Sequence, residues 1–136
     1  MKTEGTVGIM DGNMREQIQK SARTPLQRPA AGELVREFLF SESFIGFAGH
    51  FPGFSILPAV GQMLLAQSMI EEDRQRSLTL RRVENAKFTR PIRPGEVVRV
   101  EVSLVEQGTS LRAEVAIAAA GATAGRFRQV FLLEEM

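Results

Sequence analysis

Pro58-Ala59-Val60-Gly61-Gln62-Met63-Leu64-Leu65-Ala66-Gln67-Ser68-Met69-Ile70-Glu71-Glu72-Asp73 is the stretch on which the fold turns. Proline suits the first position of a helix, where its missing N–H costs nothing, so the pattern predicts a helix over 59–73 with Pro58 as an N1-type starter. Val60, Met63, Leu64, Leu65, Ala66, Met69 and Ile70 cover nearly every face of it. A helix apolar all round is buried rather than laid on a surface. Glu71-Glu72-Asp73 marks the point where it reaches water.

What buries this helix has to come from the flanking chain, and the flanking chain reads as strands. Glu33 to Phe40, dense in Val, Leu and Phe, predicts a first strand. Residues 78–91 form one extended run that ends at the Pro91-Ile92-Arg93-Pro94-Gly95 turn. In 97–105, Val98, Val100, Val102 and Leu104 face one way while Arg99, Glu101 and Ser103 face the other. After the break at Gly108, Leu111, Ala113, Val115 and Ile117 alternate against Arg112 and Glu114. After Gly121, the positions Phe127, Gln129, Phe131 and Leu133 close the series. Alternating strands with a turn signal every dozen residues imply an antiparallel meander. The fold class that follows is α+β, an antiparallel sheet wrapped around one buried central helix.

Residues 1–29 are expected to form a leader, partly disordered, in which a short polar helix over 14–23 is capped by Asn13 and stopped by Thr24-Pro25. Residues 30–136 are the expected folded domain. A chain of 136 residues, 43% hydrophobic and 24% charged, suits a single globular core. Seventeen Lys and Arg against 16 Asp and Glu give a net charge of +1, too small for the basic field a nucleic-acid binder needs. There is no cysteine, which excludes disulfides and thiolate chemistry and fits a reducing cytoplasm, the expected location. No charged-then-apolar start predicts a secretory signal, and the longest apolar stretch, 56–70, is interrupted and too short to span a bilayer.

One histidine is present in the whole chain, His50, inside Gly49-His50-Phe51-Pro52-Gly53. A lone imidazole fixed by a Pro/Gly turn and followed by a helix N-terminus can act as a general base beside an anion-stabilising site. A single histidine also rules out a multi-histidine metal site within one chain, and no metal or cofactor is expected. From Phe44 to Ile70 there is no Asp or Glu. The base therefore has no carboxylate near it in sequence.

At Gly49-His50-Phe51-Pro52-Gly53-(x)₄-Pro58, with Lys87-Phe88-Thr89-Arg90-Pro91-Ile92-Arg93-Pro94-Gly95-Glu96 downstream, the chain resembles the 3-hydroxyacyl-acyl-carrier-protein dehydratases of the hot-dog fold. The resemblance covers roughly residues 34–135. It implies a homodimer, possible as part of a higher oligomer, with each active site between two protomers. It implies that His50 abstracts the α-proton of a 3-hydroxyacyl thioester carried by an acyl carrier protein or coenzyme A. The backbone N–H of Ala59, aligned with the family's helix-starting glycine, would polarise the thioester carbonyl. Gly53, Phe51, Ala59 and Gln62 are the expected substrate-binding residues.

Three positions depart from that pattern. Leu64 stands where the family carries its helix acid, Ala59 replaces the glycine, and Ser55 replaces a proline. Leu64 matters most, because a positioned general acid is worth about 10²–10⁴-fold. Without it, His50 can serve both steps by passing the α-proton to the β-hydroxyl on the same face. A one-residue slip would put Met63 at the acid position, with the same result. Gln62 or Gln67 can hold the hydroxyl or a water but cannot act as an acid. Glu42 and Glu84 are the carboxylates to inspect as replacements. Phe44, Phe47, Phe51 and Phe54 read mainly as core and dimer packing, with an acyl tunnel as the alternative. Arg90, Arg93 and Arg99 can meet an acidic carrier or the phosphate of its arm, or simply form a solvated face. Two other readings stay open: a thioesterase of the same fold, and a non-catalytic acyl- or carrier-binding protein.

Overall fold

The computed structural model describes residues 14–44, 47 and 56–133. A short helix α1 (14–20) precedes strand β1 (Glu33–Leu39), helix α2 (Ala59–Arg74) and strands β2 (Thr79–Phe88), β3 (Val97–Gln107), β4 (Ser110–Ala119) and β5 (Ala122–Leu132). All five strands join one antiparallel sheet in the order β1-β3-β4-β5-β2. β3, β4 and β5 form the expected meander, but β2, expected to lead into it, pairs with β5 rather than β3 and is an edge of the sheet, as is β1.

Registers in the meander follow the alternation. Val100 pairs with Ile117 and Ile117 with Gly125, while Val102 pairs with Val115 and Val115 with Phe127. Directly opposed residues share a face, so these rows line the inside of the sheet. The β4–β5 hairpin closes through Ala120 and Gly121, whose φ angles are +51° and +82°. That pair of left-handed residues matches the right-handed twist of the strands, and glycine takes the conformation at no steric cost.

α2 lies against the inner face, with Leu65, Ala66, Met69 and Ile70 fully buried among Phe38, Val98, Val100, Leu111 and Phe131. Each large side chain buried in this way contributes about 1.5–3 kcal/mol. The helix is not covered all round: Val60 is 61% exposed, and Met63 and Leu64 are only partly buried. The expectation of a helix enclosed on every side is corrected at Val60. Pro58 is also the N-cap, in extended conformation, rather than the first helical residue.

Residues ahead of β1 pack onto the sheet. Met14 and Ile18 of α1 are core residues, and Ala22 and Gln27 bridge to Phe38 and Val35. The free edge of β1 is thereby covered, one of the ordinary ways to protect a sheet edge. α1 stops at residue 20, short of the 14–23 span the sequence predicts.

The acids at the C-terminal end of α2 are not simply in water. Glu71 pairs with Arg15, Glu72 with Arg36 at 2.7 Å, and Asp73 with Arg28 at 2.7 Å. Carboxylates there oppose the helix dipole, and a cation beside each offsets the cost. Arg36 sits on the inner face of β1 and also donates through Nε to the Thr24 carbonyl at 3.0 Å. At the other end of the sheet, Arg90 grips Glu96 with two hydrogen bonds (3.0 and 3.2 Å), and the Arg93 N–H adds a third at 3.0 Å. The Arg90 hydrogen bonds hold the Glu96 carboxyl below its ordinary value of 4.5, against a smaller opposing effect of burial.

Two stability outcomes follow. Arg36→Met should cost about 1–3 kcal/mol, because it strands Glu72 and the Thr24 carbonyl, whereas Arg28→Ala, at an exposed pair, should cost about 0–1 kcal/mol. Urea midpoints of the two variants check this, and equal losses would refute it. A carboxyl whose folded pKa is depressed stabilises above its unfolded value and loses that contribution as pH falls through the folded one. Glu96→Gln should therefore be about 1 kcal/mol less stable than the parent at about pH 7, with the gap narrowing at about pH 4.

Candidate functional site

Of the expected site residues, Ala59, Gln62 and Leu64 are described, all in the first half of α2. Leu57 is fixed by its N–H bonding the Ile92 carbonyl at 2.9 Å, and the first intrahelical bond runs from the Gln62 N–H to the Pro58 carbonyl at 3.1 Å. No side chain caps the helix, and its first turn carries no acid. The first N–H groups, that of Ala59 among them, have no intrahelical partner, and the positive end of the dipole is unopposed. Gly61 lies close to Leu57, since a Cβ there would stand 2.7 Å from Leu57 Cδ1.

Gln62 turns back toward the sheet and is 3% exposed. Its Oε1 lies 2.6 Å from where a Cβ on Gly125 would stand, beside the Phe88 ring, and has no hydrogen-bond partner among the described residues. Leu64 is partly buried against the core with Met63, so neither position of the helix supplies a proton donor. His50, Phe51, Gly53, Phe54 and Ser55 lie outside the described residues.

The remaining candidates are occupied elsewhere. Gln67 donates to Glu71 Oε2 and to the Leu78 carbonyl, both at 3.1 Å, and ties the end of α2 to the start of β2. Glu84 is on the outer face of the sheet, bound by Arg82 at 2.5 Å and Arg128 at 3.0 Å. Those hydrogen bonds, Arg82's foremost, hold its carboxyl below the usual range, so it stays ionised and is no proton donor. Glu42 is exposed in the turn after β1. Arg90 is engaged by Glu96 and the Ala119 carbonyl, and Arg99 by Glu101 and Glu37. Phe44 and Phe47 are core residues, packed tilted and edge-on around Phe40 with ring centroids 4.4–6.4 Å apart.

Two residues of this region escaped the sequence reading. Gln129 of β5 is fully buried and donates through Nε2 to the Met63 carbonyl at 3.1 Å, while its Oε1 is unpaired. Its signal was a polar residue on the inward parity between Phe127 and Phe131. Gly125 makes room for Gln62, and nothing local in the sequence announces that contact. Among the described residues no helix is long and apolar enough to cross a membrane, and no group of three or more His, Cys, Asp or Glu is placed to hold a metal ion.

Comparison with known proteins places the chain. Residues 27–126 match the ApeI-like family model, described as ApeI dehydratase. The 3-hydroxyacyl-[acyl-carrier-protein] dehydratase FabZ of a Caulobacter species is 34% identical over 74 residues, 48% of this chain and 45% of the relative. FabZ of Geobacillus thermodenitrificans is 34% identical over 86 residues, 57% of each. The chain thus spans about half the length of the curated relatives it matches. Among solved structures, the dehydratase heterocomplex ApeI:P from Xenorhabdus doucetiae aligns with a TM-score of 0.65 at 20% identity, over 82% of this chain and 96% of that one. A hypothetical thioesterase with coenzyme A from Streptococcus pneumoniae aligns at 0.67 and 10% identity, over 92% and 97%. Such identities speak for the fold alone, and the fold is the hot dog. With the family match running through β1, α2 and most of the sheet, the chain belongs to the ApeI-like dehydratase family of hot-dog proteins.

Proposed function

We propose that the protein dehydrates a 3-hydroxyacyl thioester to the trans-2-enoyl thioester, with His50 as base and the Ala59 N–H polarising the thioester carbonyl. The observation that carries this reading is the start of α2, uncapped and free of acid, preceded by the only histidine of the chain. The N–H groups of a first turn, which have no intrahelical partner, suit an oxygen that gains negative charge when the α-proton leaves. No carboxylate competes for them. With Leu64 at the acid position, the proton taken by His50 is returned to the departing β-oxygen.

The carrier of the acyl chain is an acyl carrier protein or coenzyme A. The active unit is a homodimer: Val60, Leu80 and Phe88, exposed on α2 and the edge strand β2, are apolar groups that a second protomer would cover. Thioester hydrolysis fits less well. It needs a carboxylate on the central helix to activate water, and those of α2, Glu71, Glu72 and Asp73, are all at its far end with arginine partners.

Incubation with 3-hydroxyacyl carrier protein should yield the conjugated enoyl product by ultraviolet absorbance. His50→Ala should lose about 10²–10⁴-fold in kcat. A fully active His50→Ala would refute the assignment. Release of free thiol would point to a thioesterase, and tight binding without turnover to a carrier-binding protein.

A further inference from the structure

Gln62 is costly as a purely structural residue. Its Oε1 is enclosed without a hydrogen bond, a condition that lowers stability relative to an apolar side chain of similar size. Gln67 and Gln129 each tie α2 to a neighbouring element through Nε2, whereas the Gln62 carboxamide ties nothing to the sheet. Yet space is kept for it. A Cβ on Gly125 would meet Gln62 Oε1 at 2.6 Å and Phe88 Cδ1 at 3.0 Å. Gly125 has no left-handed φ, so its missing side chain serves this close approach rather than a turn. Oε1 is seated against β5, which leaves Nε2 as the carboxamide's donor, one turn into an uncapped helix.

Resting on the dehydratase reading above, we propose that Gln62 holds the substrate's 3-hydroxyl, Nε2–H donating to the hydroxyl oxygen as it leaves. Gln62 thereby takes over, as a hydrogen-bond donor, the positioning that a helix acid at Leu64 would give. In the step itself His50 takes the proton from C2, and the C2–H electron pair forms the second bond to C3. The C3–O bond breaks with its pair on oxygen, and the oxygen takes the proton from His50 and departs as water. Gln62 keeps both amide protons and supports charge on the leaving oxygen. A saturated acyl thioester leaves it unpaired.

Gln62→Leu tests this directly. It should be at least as stable as the parent, with kcat reduced about tenfold to hundredfold and KM little changed, as for loss of one preorganised donor. An unchanged kcat would overturn the proposal. Gly125→Ala, which pushes the flexible end of Gln62 off its seat, should lower kcat in the parent but not further in Gln62→Leu; additive losses would count against the shared role. Should Gln62→Leu fail to fold, the side-chain amide resonance of Gln62 answers instead, read in the His50→Ala protein so that substrate is not consumed. It should shift with 3-hydroxydecanoyl-N-acetylcysteamine and not with the decanoyl thioester; equal shifts, or none, refute the contact. If the amide responds to the 3-hydroxyl while the parent protein forms no enoyl product, the dehydratase reading fails and the hydroxyl site stands.

Discussion

The rest of the structure depends on one contact, the seating of Leu65, Ala66, Met69 and Ile70 of α2 in the inner face of the sheet. The inner rows contributed by β3, β4 and β5 are apolar but for Gln129 and would otherwise face water. Burial of several large side chains at about 1.5–3 kcal/mol each outweighs any single polar interaction in the molecule. The polar groups caught in that contact must then be satisfied or be of use. Arg36 finds Glu72, and Gln129 finds the Met63 carbonyl. Gln62 finds nothing among the described residues.

The two ends of α2 are consequently unlike. Its C-terminal end is held by arginines from three places in the chain, at positions 15, 28 and 36, and is built for anchorage. Its N-terminal end has no cap and no acid, and it carries the exposed Val60 and the unpaired Gln62 carboxamide. A helix pinned at one end can present the other in fixed geometry without spending side chains on tying it down. The sheet edges differ in the same way: β1 is covered by the segment around Ala22 and Gln27, and β2 shows Leu80 and Phe88.

Much of this was legible beforehand because two periodicities carry it. Period two along 97–105 and 111–117 placed the inward residues of those stretches correctly, since a half-buried strand cannot change parity without exposing its core. The apolar run of 59–70 located the central helix within one residue of its end. Reading that run as buried on all sides failed at Val60, because density of apolar residues does not say which neighbour is present. Glu71-Glu72-Asp73 looked like a solvent boundary for a similar reason: an acid run looks the same in water and beside arginines distant in sequence.

By itself, the sequence determined the fold class, the order of the strands along the chain, and the absence of a second histidine or any cysteine. These are local or compositional facts, and local spacing is enough to specify them. Only the tertiary structure decided that Gln67 ties α2 to Leu78, that Glu84 is held by arginines on the outer face, and that Gly125 lies against Gln62. Each of those rests on a contact between residues from different elements, 67 with 78, 84 with 128, 125 with 62. No spacing along the chain encodes such a meeting before the sheet has closed around the helix.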